Sequence, residues 1–150
     1  MSGLYFEDFE VGMSWKHEIR RTVTEVDNLL LTTLTLNPQP LNLDDEFSRH
    51  TIHGKRLVNS IFTLGLMVGV SVADTTLGTT LGNLGFEEVR FPNPVFIGDT
   101  LNAETKVLAA RLSKSRTDSG IVTFLHTSYN QRSELVCECR RAALMMRRTS

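Results

Sequence analysis

Residues 34–47, LTLNPQPLNLDDEF, put three amides and three consecutive carboxylates on one proline-stiffened stretch. Pro38 and Pro40 fix their own φ and push the residues before them out of helix, so the stretch reads as a loop of set shape. The amides Asn37, Gln39 and Asn42 can donate and accept hydrogen bonds, and can therefore orient a water. None has a usable basic lone pair, so none can move a proton in general acid–base work. Groups that can do so lie close by. His50 and His53 follow the loop, and His53 directly precedes Gly54. Asp44 and Asp45 close it. His126 sits in a strand-like run, where a lone histidine reads as a hydrogen-bonded structural residue.

Composition narrows the partners. The chain has 150 residues, 41% hydrophobic and 22% charged, which is one ordinary globular domain. Its 16 basic and 17 acidic residues leave a formal charge of −1. That balance gives no electrostatic reason to expect nucleic acid or an anionic membrane as partner. The terminal RRAALMMRR is read as a last strand with solvated arginines. Cys137 and Cys139, two apart on a strand, share a face and cannot bond to each other without distortion. They read as small hydrophobes, in keeping with a reducing cytoplasm. The acidic, aromatic MSGLYFEDFEVGM is not read as a signal peptide, and no apolar run reaches the ~20 residues of a membrane span. The histidines and carboxylates show no metal-ligand spacing, so no metal is expected.

The elements around the loop follow from periodicity. SWKHEIRRTV, residues 14–23, predicts one strand with Trp15, His17, Ile19 and Val23 on one face. Thr24 with Asp27 three residues on predicts a capped start to a short helix, VDNLLLTTLTL, whose apolar face is Leu29, Leu30, Thr33 and Leu34. Residues 57–73, LVNSIFTLGLMVGVSVA, predict a long central helix. Its Gly65 and Gly69 suggest close approach of other backbone. The remainder is strand-like. GNLGFEEVRF, DTLNAETKVLAARLSK (with Leu101, Ala103, Thr105, Val107 and Ala109 on one face), GIVTFLHTSYNQ and ELVCECRRAALMM follow one another, with NQRSE a hairpin turn. The order predicts an α+β domain over residues 1–150, an antiparallel sheet around one long apolar helix.

These segments resemble the MaoC-like dehydratases, which have the hotdog fold. FPNPVFIGDTL, residues 91–101, resembles the family's F-x-x-P-V-x-x-G-D-T-L segment and is the most specific match. NPQPLNLDDEF falls where the family has D-x-N-P-L-H-x-D-x-x-F, its catalytic loop. GKRLVNSIF falls where the family has G-x-x-I-A-H-G-M-L, the start of the central helix. The RLVNS and QPL stretches are similar to a mesaconyl- or itaconyl-CoA hydratase-like subgroup. The resemblance implies an enzyme that adds or removes water across the α,β double bond of an acyl-CoA thioester. Coenzyme A enters as part of the substrate, and no other cofactor is implied. In that chemistry a carboxylate and an imidazole activate one water, while a backbone N–H at the start of the central helix bonds the thioester oxygen.

Carried over residue by residue, the family's aspartate falls on Asn37, its asparagine on Gln39, its proline on Pro40 and its histidine on Asn42. The loop is kept and both proton-transfer groups are amides. His-Gly at the helix start becomes Asn59-Ser60, which can still present N–H groups. The resemblance thus implies Asn37 and Asn42 as water-orienting residues, with His53 the best substitute proton carrier. Gln39, Asn59 and Ser60 are implied on the substrate side. Arg56 and Arg90 are the candidates for a second substrate carboxylate. The alternative expectation is a catalytically degenerate acyl-CoA-binding protein or partner subunit. A thioesterase would want a carboxylate near the start of the central helix, and residues 57–73 carry none. One hotdog leaves a sheet edge open, so a homodimer or higher homo-oligomer is expected, with the family's site at the dimer interface.

Overall fold

The structure, a computed structural model, describes residues 3–148. Six antiparallel strands form the sheet: β1 Ser14–Lys16, β2 Arg21–Thr22, β3 Thr80–Arg90, β4 Thr100–Leu112, β5 Ser119–Tyr129 and β6 Leu135–Met146. Their order is β1-β4-β5-β6-β3, and β2 also pairs with β4. Helix α4, Ser60–Thr75, lies against β4, β5 and β6. It buries Thr63, Met67, Val70, Ser71 and Thr75, one face at helical spacing. This is the expected hotdog arrangement, a sheet wrapped round one long apolar helix. Helices α1 Glu25–Leu34, α2 Pro40–Leu43 and α3 Asp45–Arg49 carry the chain from β2 to α4.

Four expectations change. The strand over 14–23 is split, because Lys16 pairs with Glu104 and Arg21 with Leu101. That is five steps on one side against three on the other, so two residues loop out, and Ile19 is exposed. Within β4, a bulge between Val107 and Ala109 reverses the alternation. Ala109 turns outward and Ala110 packs on the core instead. The buried face of α1 is polar: Asn28 and Thr32 are fully buried, while Leu30 and Leu34 are exposed. In α4, which starts at Ser60 rather than at residue 57, Gly65 and Gly69 face outward with no heavy atom within 4 Å of an added Cβ. Among the described residues, no backbone outside the helix itself comes that close to either.

The core has three apolar clusters. Phe9, Val107, Val122, Phe124, Ala143 and Met145 form one; Met67, Val70, Ala103, Cys137 and Cys139 form a second. Burial pushes the two thiols up, Cys137 to about 12 and Cys139 to about 11, so both behave as the expected inert hydrophobes. The third cluster, Val23, Val58, Val95, Leu101 and Val136, lies under the start of α4 and supports the candidate site.

Candidate functional site

The amide loop is ordered by its own side chains. Leu36 turns the chain after α1 with φ 55°, and the Asn37 N–H donates to Thr32 O (3.0 Å). Asn37 Oδ1 then accepts the Gln39 N–H (3.0 Å), an Asx turn that brings Pro40 to the first position of α2. Asp44 ends α2 and caps α3, accepting the Phe47 N–H (3.0 Å). The stretch read as a loop therefore contains two short helices.

Asn42 is only 6% exposed. Its Nδ2 donates to Leu57 O (2.7 Å), tying the loop to the segment that leads into α4. One face of each amide is thus committed to backbone. Asn37 Nδ2 and Asn42 Oδ1 have no hydrogen-bond partner among the described residues. Asn59 is the N-cap of α4, accepting the Ile61 N–H on Oδ1 (3.0 Å) and donating from Nδ2 to Thr32 Oγ1 (3.3 Å). The Ser60 N–H, next in line, has no partner among the described residues. It therefore points out of the helix N-terminus as a donor in the positive end of the dipole.

A pocket of ≈ 260 Å³ opens beside this helix start. Its wall joins His53, Leu57, Val58, Ser60 and Thr63 to the Phe91–Val95 segment and Val136. His53 packs edge-on against Phe96, ring centroids 6.0 Å apart. The Gly98-Asp99-Thr100 part of the same segment is architectural. Asp99 accepts the Phe96 N–H (2.9 Å) and the Gln131 side-chain N–H (2.8 Å), fixing the turn that presents residues 91–97.

Of the residues singled out from sequence, His53 and Ser60 line this pocket; Asn37, Gln39, Asn42, Asn59, Arg56 and Arg90 do not. Arg56 is 13% exposed and donates to Glu25 (2.8 Å) and Asp45 (2.6 Å). Those carboxylates, Glu25 foremost, hold its pKa above the ordinary value, so it pins α1 to α3 as a permanent cation. Arg90 pairs with Glu138 across the β3–β6 ladder.

Two features were not foreseen. Asn28 is fully buried; its Oδ1 accepts the Asn59 N–H (2.8 Å) and its Nδ2 donates to Asn42 O (2.9 Å). An uncharged polar residue directly before three leucines, at a helix position four before Thr32, was the signal. The other feature is a buried polar chain between two of the apolar clusters. Arg141 Nε donates to His126 Nε2 (3.0 Å), His126 Nδ1 meets Thr105 Oγ1 (2.9 Å), Thr105 Oγ1 meets His17 Nε2 (2.8 Å), and His17 Nδ1 meets Asp74 Oδ2 (2.6 Å). An arginine can only donate, so His126 Nε2 must accept and its proton sits on Nδ1. That proton goes to Thr105, whose hydroxyl donates to His17, which donates to the Asp74 carboxylate. All four bonds then run one way, from a buried guanidinium to a half-exposed carboxylate. Burial, reinforced by Arg141 and His17, pulls the His126 pKa down to about 3, in keeping with a neutral ring. Burial also lowers that of Arg141.

Comparison with known proteins identifies the family. Residues 8–130 match the family described as MaoC like domain. The chain is 32% identical over 147 residues to the mesaconyl-CoA hydratase of Cereibacter sphaeroides, covering 98% of this chain and 42% of that protein. It is 31% identical to the beta-methylmalyl-CoA dehydratase of Chloroflexus aurantiacus, covering 97% of this chain and 41% of that one. It therefore spans about two-fifths of the length of these curated relatives. The crystal structure of a MaoC-like dehydratase from Rhodospirillum rubrum superposes with a TM-score of 0.84 at 33% identity, covering 99% of this chain and 100% of that one. A family match over residues 8–130, most of the chain, makes this a member of the MaoC-like dehydratase family with the hotdog fold.

Proposed function

We propose that this protein is a hydro-lyase that adds or removes water across the α,β double bond of an acyl-CoA thioester. The observation that carries the reading is the pocket at the start of α4, where an unpartnered Ser60 N–H adjoins an apolar channel walled by residues 91–95. A thioester oxygen at Ser60 would gain charge as the enolate develops, where a fixed N–H donor stabilises it most. Asn37 Nδ2 and Asn42 Oδ1 would hold the water, and His53 would carry the proton. Asn59 would act through the helix start it caps, and Gln39 would face the substrate. The relatives named mesaconyl-CoA hydratase and beta-methylmalyl-CoA dehydratase support this class.

Within that class, a dicarboxylic acyl group of the mesaconyl or itaconyl kind is proposed from the same relatives. Its second carboxylate needs a cation. Arg56 would have to exchange one of its two carboxylates to meet it, and Arg90 would have to leave Glu138.

A homodimer is proposed as the working unit. β3 is an edge strand with exposed Leu84, Phe86 and Val89, and α4 presents Ile61, Gly65 and Gly69 outward at four-residue spacing. A second copy pairing edge to edge would cover both.

The second reading is an acyl-CoA binder or partner subunit without turnover. The commitment of Asn37 and Asn42 to backbone hydrogen bonds favours it, since a loop held for shape needs no proton chemistry. Enoyl-thioester absorbance with mesaconyl-, itaconyl- and crotonyl-CoA separates the two, with the Asn37→Asp/Asn42→His double variant alongside. Turnover by the natural protein at an enzyme-like rate supports the hydro-lyase. Turnover by the double variant alone, gained over several orders of magnitude, supports the binder. The Asn42→His side chain can keep the donor to Leu57 O on one ring nitrogen and leave the other as a base.

A further inference from the structure

We infer that Asn28 is a positioning residue, a buried amide clamp that sets the catalytic loop in register with the helix N-terminus; this rests on the hydro-lyase reading. The two halves of the proposed site come from separate segments. Asn37 and Asn42 sit on the loop, while Ser60 sits on α4. Only a few bonds join the two. Leu57 is bonded to the loop from both sides, its N–H donating to Leu41 O (3.0 Å) and its C=O accepting from Asn42 Nδ2 (2.7 Å). Asn28 supplies a second link. Its two amide ends reach the backbone at the two working residues, Asn42 O at 2.9 Å and Asn59 N at 2.8 Å.

The residue type is exacting. Asn59 N–H needs an acceptor and Asn42 O needs a donor, at opposite ends of one short side chain. A short amide offers both without charge and without depending on pH. Asn28 is fully buried, and its partners are backbone groups, so no titratable side chain bonds to it. Its helix position is set by the Thr24–Asp27 cap one turn earlier. Thr32, one turn later, bonds Asn59 Nδ2 and accepts the Asn37 N–H on its carbonyl. The polar face of α1 is thus a template against which loop and helix start are both measured. By holding the Asn59 N–H, Asn28 also aims the Ser60 N–H that follows. Small misplacement of such a donor costs rate while leaving remote binding contacts intact.

The test is Asn28→Asp, which is isosteric and keeps the acceptor toward Asn59. Its carboxylate opposes Asn42 O, whereas its protonated form restores a donor there. Burial raises the pKa of such a carboxyl, so the restoration falls in a measurable range. Crotonyl-CoA hydration is followed from about pH 8 down to about pH 5 for wild type and variant, with amide hydrogen exchange at Asn42 and Leu57 read in parallel. The expected result is a kcat lower by on the order of tenfold to a hundredfold at high pH with KM little changed. That loss is relieved toward low pH in the variant only. A variant kcat that tracks wild type at every pH overturns the inference, as does a loss that acid does not relieve. If wild type shows no turnover, the hydro-lyase reading fails and exchange decides the clamp. Faster exchange at the loop amides Asn42 and Leu57 in the variant, slowed again by acid beyond the wild-type trend, supports it. Unchanged protection overturns it. A folded state in the variant is checked by circular dichroism, and Asn28→Gln serves as the second variant. Gln retains both groups at the wrong reach and is expected to lose kcat without acid relief.

Discussion

His126 is where one residue's chemistry is most sharply set by its surroundings. It lies at the centre of the β4–β5–β6 ladder with no exposure, sandwiched between a donating arginine and a hydroxyl. Its folded pKa of about 3 lies below the ordinary 6.5 that applies in the unfolded chain. The unfolded state therefore takes up the proton first as pH falls. The stability held by the neutral ring is complete above about pH 6.5 and is lost progressively toward pH 3, up to about 5 kcal/mol in all. Urea midpoints should fall from about pH 6.5 to about 4.5, above the range in which carboxylates such as Glu7 titrate. In His126→Gln, which keeps an acceptor for Arg141, that part of the profile should flatten. An equally steep fall in the variant would mean that another group supplies the slope. At the same scale, the amides that gave the sequence its interest each serve two masters. One end of Asn37 and of Asn42 holds backbone, and only the other end faces solvent or substrate.

Among the elements, α1 departs most from its amphipathic pattern. Leu30 and Leu34 face out while Asn28 and Thr32 face in, because the surface it covers is the polar junction of loop and α4, not the sheet. Its start is fixed by a capping box, Thr24 accepting the Asp27 N–H (3.3 Å) and Asp27 accepting the Thr24 N–H (2.9 Å). Thr24→Ala should cost about 1 kcal/mol of global stability. It should also lower turnover more than that loss explains, because Asn28 rides on the same turn. Thermal melts and initial rates on the same preparation measure both. A rate unchanged beside a lowered melting temperature would separate α1 from the site. The buried chain from Arg141 to Asp74 acts at element scale too. It strings the end of α4 to β4, β5 and β6, far from the helix start where the pocket opens.

For the whole molecule, the unfinished surfaces are informative. β3 pairs only with β6, and its residues Asn83–Arg90 are exposed throughout. An edge of that length with apolar side chains invites a second chain. Sedimentation of the natural protein should give a dimer, and Phe86→Glu should shift it toward monomer at equal concentration. A monomer in the natural protein would end the dimer proposal and leave the site to one chain. The curated relatives carry more than twice this length.

Sequence alone determined the class of fold, the α4 core helix, the capped start of α1, the 130–134 hairpin turn and the buried cysteines. Each of these is a local pattern: a period, a cap or a turn signal read over a few residues. The family segments at 37–47 and 91–101 were equally local; residues 91–95 of the second wall the pocket, whereas Asn37, Gln39 and Asn42 of the first do not line it. Tertiary structure alone decided which way each amide faces, that Arg56 is held by Glu25 and Asp45, and that Asn28 joins loop to helix. It decided the direction of the Arg141-to-Asp74 chain as well, whose members are spread from residue 17 to residue 141. The physical reason is common to these cases. A periodic pattern reports which face is apolar, whereas a polar side chain's role depends on the partner that desolvation forces on it, and that partner is distant in the chain.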